Sequence, residues 1–101
     1  MKLRNAFTQE TRLLFFYHYD CLWCKYNGWD ALHHVLGRVS TSPLNACPIH
    51  NFKCHIGNHA LDSFESRSRL LKKIKRILDE QGYTYTLEDK QFLKKYKQYY
   101  E

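Results

Sequence analysis

His33-His34-Val35-Leu36-Gly37-Arg38, then Ser42-Pro43-Leu44-Asn45, then Cys54-His55-Ile56-Gly57-Asn58-His59: the reading of this segment decides the fold. His33 and His34 stand in the apolar stretch Ala31 to Leu36. If that stretch is a strand, adjacent side chains point to opposite faces, so one ring can ligate a metal while the other addresses a substrate. His55 and His59 are spaced i, i+4, which puts both on one face of a helix, able to hold one ion. Between the pairs lie the loop Ser42 to Asn45 and a second short strand, Ala46 to Ile49. The predicted order is strand with His-His, loop with Asn, strand, helix with His-x3-His.

The surrounding composition agrees with a metal-bearing segment. All four cysteines and five of the six histidines lie between Cys21 and His59, with both prolines, three of the four glycines and the turn pair Asn27-Gly28. Cys21-Leu22-Trp23-Cys24 has the spacing of half a zinc site, and in a reducing compartment cysteines read as metal ligands before disulfides. Thiolates suit zinc better than magnesium. His18 receives no role.

Taken together, the three motifs resemble the HNH endonuclease family, in particular small standalone phage-type HNH proteins, over about residues 21 to 60. The resemblance implies a ββα-metal core. By position it implies that His33 is the first metal ligand (an aspartate in many relatives), that His34 is the general base, and that Asn45 holds the loop so the base stays oriented. His55 and His59 match the remaining ligands of one divalent catalytic metal, Mg, Mn, Ni or Zn. A neutral imidazole, with an ordinary pKa near 6.5, can take a proton from water at neutral pH. In many HNH proteins a second Cys-x2-Cys precedes the helix histidine. Here that place reads Asn51-Phe52-Lys53-Cys54, so a structural zinc on Cys21, Cys24 and Cys54 needs another fourth ligand. His50 is the choice and Cys47 the alternative; a zinc site lost altogether, with the cysteines merely buried, is the third reading.

The rest of the chain supplies charge and helices. Its 101 residues carry 16 Lys and Arg against 10 acids, a formal net charge of +6. That balance favours a polyanionic partner, most often nucleic acid. The longest apolar run, Leu13 to Tyr17, is far short of a membrane span or a signal-peptide core, and a cytoplasmic location is expected, with phage origin suggested only by the resemblance. Thr8 can cap a short helix with Glu10 in its first turn, although the aromatic density of residues 1–20 also suits a strand; the run is expected to be core. Asp62-Ser63-Phe64-Glu65 has capping-box spacing ahead of a stripe at Phe64, Leu71, Ile74 and Leu78, with Gly82 at the helix end. Thr86 opens a second helix with Leu87, Leu93, Tyr96 and Tyr100 as its apolar side. Arg67, Arg69, Lys72, Lys73, Lys75 and Arg76 form a run without an intervening acid. Beside a nuclease motif, Lys72, Lys73 and Arg76 become phosphate contacts, and Arg38, next to the hairpin, the contact near the scissile bond.

The expectation is one α+β domain over residues 1–101, with a ββα-metal core and zinc knuckle in 21–60 and a basic helical extension in 61–101. Its expected activity is metal-dependent hydrolysis of DNA phosphodiesters. The rival is a non-catalytic zinc module that binds nucleic acid or protein. Such a module has no need of His34.

Overall fold

The computed structural model describes residues 6–16, 20–56 and 59–101, with the side chains of residues 52, 53, 56, 59 and 60 outside that description. His18 and the side chain of His59 therefore lie outside the described residues. The elements are helix α1 (Gln9–Leu14), strand β1 (Ala31–His34), strand β2 (Ala46–Ile49), helix α2 (Phe64–Glu80) and helix α3 (Leu87–Lys95), with short 3-10 turns and one π-helical turn beside them. The arrangement is α+β. Among the described residues, no helix is long and apolar enough to cross a membrane.

The strands pair antiparallel with Ala31 opposite Ile49, Leu32 opposite Pro48, His33 opposite Cys47 and His34 opposite Ala46. Strand β2 begins and ends at the residues the sequence implied, and all four of its residues are buried. Pro48 cannot donate to a ladder, which suits a two-stranded sheet with edges on both sides. Its carbonyl accepts the Leu22 N–H at 3.0 Å, tying the segment before β1 to the hairpin. Before β2, Ser42 caps the 3-10 turn Pro43–Asn45, its hydroxyl accepting the Leu44 N–H.

Helix α2 lies against β2 and the turn before it. Leu70, Leu71, Ile74 and Leu78 are fully buried, as the periodicity requires, and join Phe15, Val35, Leu44 and Ile49 in one apolar cluster. Three sequence expectations need correction here. The cap is Ser63, whose hydroxyl accepts the Ser66 N–H at 3.1 Å, because Asp62 still belongs to the preceding 3-10 turn. Phe64 is 55% exposed: it sits in the first turn, beyond the edge of the core, and stacks on Tyr99 with ring centroids 4.8 Å apart. Leu87 is 73% exposed at the first position of α3, and Phe92 supplies the buried contact instead. At the other end of α2 the expected glycine stop is present. Gly82 has φ of +73°, and the N–H groups of Gly82 and Tyr83 donate to the carbonyls of Asp79 and Leu78, the paired bonds of a Schellman cap.

Of the two readings for the N-terminal stretch, the helix is the one found: Thr8 accepts the Thr11 N–H at 3.3 Å. Its aromatic run is only partly core. Phe15 is fully buried, whereas Leu13 and Phe16 are more than half exposed, since a helix of this length presents a single face inward.

Asp89 locks α3 to the hairpin loop. It is 1% exposed, and its carboxylate accepts from Ser42 Oγ at 2.6 Å, Tyr83 OH at 2.6 Å and the Thr86 N–H at 2.9 Å. Burial works against ionisation, yet those bonds hold its carboxyl below the usual range. The resulting stabilisation is present above the unfolded pKa of about 3.9 and fades as pH falls through the lower native value. Asp89→Ala is expected to cost about 2–3 kcal/mol in urea unfolding at pH 7, with a smaller difference from wild type at pH 3.

Candidate metal centre

The centre is built on a tight hairpin turn ahead of β1. The Cys21 N–H donates to the Tyr26 carbonyl at 2.9 Å, the Lys25 N–H donates to the Cys21 carbonyl at 2.9 Å, and Asp20 bridges Asn27. Lys25 takes φ of +71°, the only non-glycine residue with positive φ among the described residues. A left-handed non-glycine residue costs on the order of 1 kcal/mol, and here it folds the chain back so that Cys21 and Cys24 face the same space. The Cys24 N–H donates to Cys21 Sγ at 3.5 Å.

His50 and Cys54 close the site from the end of β2. His50 Nε2 is 2.8 Å from the Asn27 carbonyl, an acceptor only, so Nε2 carries the proton and donates. That leaves Nδ1 facing Cys24 Sγ at 3.3 Å and Cys54 Sγ at 3.8 Å. The His50 carbonyl accepts from both the Cys54 N–H (3.2 Å) and the His55 N–H (3.0 Å), which widens residues Asn51–Ile56 into a π-helical turn. The regular helix expected from His55 to His59 is thereby replaced, in the described residues, by this turn and a separate 3-10 turn from His59 to Asp62. The physical reason is geometric: Cys54 must swing back toward the turn that holds Cys21 and Cys24.

The ligand atoms of Cys21, Cys24, His50 and Cys54 lie within 4.8 Å of one another. Zinc in a tetrahedron of bonds near 2.3 Å sets sulfurs about 3.8 Å apart, so these four residues fit a structural zinc with little movement. Of the two candidates for the fourth position, His50 is the one this geometry brings to the three cysteines. Cys47 is buried, its thiol donates to the Pro48 carbonyl at 3.8 Å, and burial pushes its pKa well above the usual thiol range. All four cysteines are free thiols.

The thiols and the imidazole of the cluster shift one another's protonation. Burial raises the Cys24 thiol, but hydrogen bonds from the Tyr26 backbone, Cys54, Cys21 and His50 outweigh it and bring it to about 7. Burial, with the neighbouring thiols, pushes Cys54 up to about 12, and the Asn27 carbonyl raises His50. Zinc binding must therefore displace protons from the thiols. Zinc affinity is expected to fall as pH drops from 8 to 6, with proton release measurable as buffer-dependent heat in titration calorimetry.

A second group of histidines lies across the hairpin. His33 is 9% exposed, and its Nε2 is buried with no hydrogen-bond partner. Its ring lies 4.5 Å from the ring of His55, centroid to centroid. Burial, then the nearby His55, lowers the His33 pKa to about 4, so the ring is neutral at neutral pH. His55 Nδ1 is 3.4 Å from Asn51 Oδ1, which assigns the Nδ1 proton and leaves Nε2 available. An orphaned buried nitrogen costs about 1–3 kcal/mol, and a metal ion shared by His33 and His55 would satisfy it.

His34 is next on the strand and half-buried, its ring stacked on Phe7 with centroids 4.0 Å apart and planes 14° apart. Asn45 is fully buried and fastens the turn that follows His34. Its Oδ1 accepts the Leu36 N–H at 2.9 Å, and its Nδ2 donates to the carbonyls of Gly37 (3.0 Å) and Ser40 (3.2 Å).

The basic run of α2 divides by side. Lys73 is half-buried and donates to the Leu22 carbonyl at 3.3 Å, and burial lowers its pKa. Arg69 lies over the Trp23 ring at 5.1 Å. These two brace the metal turn. Lys72 donates to the Glu101 carbonyl at 2.9 Å, Lys75 pairs with Asp79 at 2.8 Å, and exposed Arg76 lies with them around a shallow depression. Arg38 is exposed beside the His34 ring.

The sequence placed Phe7 in an aromatic core run, Asn51 as a poor zinc ligand and Asp89 in a first helical turn, without the contacts each makes here. Only Asp89 left a signal, as the third residue after its cap. No family model, curated protein or solved structure matches the chain.

Proposed function

We propose that this chain is a metal-dependent DNA endonuclease or nickase of the HNH type, with a ββα-metal core fastened by a structural zinc on Cys21, Cys24, His50 and Cys54. The observation that carries the reading is the buried, partnerless Nε2 of His33 beside His55, with His34 on the opposite face of the same strand. A purely structural zinc module has no use for either feature.

In this reading His33 and His55 hold the catalytic ion, with His59 assigned by resemblance alone. When bound, a divalent ion stabilises charge developing on the phosphate and on the departing 3′ oxygen. His34 accepts the proton of the attacking water, and its ring is kept in place by Phe7. Asn45 acts through the backbone of residues 36–40, fixing the turn behind the base. Arg38 and, on α2, Arg76 and Lys72 meet the DNA backbone. Lys73 contributes through its bond to Leu22 more than through phosphate. Free thiols and zinc suit a reducing, cytoplasmic setting.

The rival is a non-catalytic zinc module binding nucleic acid or protein, for which the cluster of three cysteines and His50 would suffice. Supercoiled plasmid incubated with zinc-loaded protein and added Mg, Mn, Ni or Zn separates the two. The nuclease reading expects open-circular or linear product with at least one ion. Folded, zinc-loaded protein that leaves the plasmid intact with every ion would favour the rival.

A further inference from the structure

We infer that Arg12, carried on α1, forms with Arg38 and His34 a phosphate-binding pocket, and that Arg12 contacts a DNA backbone phosphate there; in naming the ligand as a phosphodiester, the inference rests on the nuclease reading. A cavity of about 170 Å³ is lined by Ala6, Phe7, Arg12, Leu32, His34 and Arg38. Its polar lining consists of two guanidinium groups and an imidazole, with no carboxylate among the described lining residues. Such a lining opposes a cation and favours an anion, and guanidinium forks match phosphate oxygens.

Arg12 forms no ion pair among the described residues, where the acids that do pair, Asp62 and Asp79, are taken by Arg67 and Lys75. It also borders a neighbouring depression that contains Asp30, whose Oδ1 accepts the Asn51 N–H at 2.7 Å. Glu10 is two residues away on the helix, a spacing at which side chains diverge. Arg12 is exposed at this cavity, on a helix whose backbone is held at both ends. Thr8 caps one end, Phe15 is buried at the other, and Gln81 Nε2 donates to the Leu14 carbonyl at 2.5 Å. The stack of Phe7 on His34 joins the start of this segment directly to β1.

The test is binding of a fluorescent DNA duplex by zinc-loaded protein without added catalytic ion, read by anisotropy over a salt series, for wild type, Arg12→Gln and Arg12→Lys. Loss of one phosphate contact is expected to reduce the slope of log K against log salt by about 0.9 in Arg12→Gln, with the slope kept in Arg12→Lys. A merely structural role for Arg12 would lower affinity without changing the slope. An unchanged slope in Arg12→Gln, or no DNA binding by wild type, overturns the pocket. If Arg12→Gln loses the slope while wild type nicks no plasmid with any ion, the pocket stands and the nuclease reading falls. If wild type nicks and the slope is unchanged, the reverse holds.

Discussion

Replacing His34 by alanine is expected to slow plasmid nicking by a factor of about 10²–10⁴, the usual worth of a positioned general base. Zinc content and thermal stability should stay near wild type, because His34 is no part of the cluster formed by Cys21, Cys24, His50 and Cys54. Strand alternation separates it from His33, so binding of the ion proposed for His33 and His55 should be as before. The ring stacks on Phe7 beside a small cavity, so its removal leaves a slot of the same shape. Added imidazole is therefore expected to restore part of the rate. Single-turnover nicking, with zinc measured on the same sample, checks each statement. Wild-type nicking by the variant would remove His34 as the base.

Cys24→Ser is expected to have the largest effect on stability. Each of the four ligands belongs to a different part of the turn or the strand end, so losing one thiolate releases the tie between residues 20–27 and β2. Structural zinc binds with about 10–16 kcal/mol in small domains, and that energy is folding energy. The variant should lose its zinc and melt at least about 10 °C lower, since 1 kcal/mol moves a domain of this size by roughly 4–8 °C. Cys47→Ser is the control. Its thiol is buried against Pro48, outside the cluster, so zinc stoichiometry should be kept. Zinc loss in Cys47→Ser with retention in Cys24→Ser would reverse the ligand assignment.

Much of the site was legible because its residues are rare and closely spaced. Strand β2, the Asn45 turn and the place of His50 beside the three cysteines follow from short-range chemistry: two strands at hairpin distance, an amide able to staple a turn, and an imidazole next to the expected ligand position. Periodicity failed where packing decides. Phe64 and Leu87 fall at the first positions of α2 and α3, where a helix has left the core's edge, and no spacing rule reveals that. The turn at Asn51–Ile56 was hidden for another reason. The i, i+4 spacing of His55 and His59 fits an α-helix, but the His50 carbonyl accepts from the N–H groups of both Cys54 and His55, and Cys54 turns toward Cys21 and Cys24. The basic run gave no sign of how it divides: Lys73 and Arg69 pack on the turn that holds the cysteines, a partition invisible until α2 is docked.

The central claim is that the buried, unpartnered Nε2 of His33 belongs to a metal site used for phosphodiester hydrolysis and separate from the proposed zinc site. It is tested most directly by the nicking rate as a function of added manganese, for wild type and His33→Ala, each carrying one equivalent of retained zinc. The account predicts saturable activation of wild type, and for His33→Ala a manganese requirement at least about tenfold higher, or no cleavage, with zinc unchanged. Superimposable activation curves for the two proteins, or no cleavage by wild type at any manganese concentration, would contradict it.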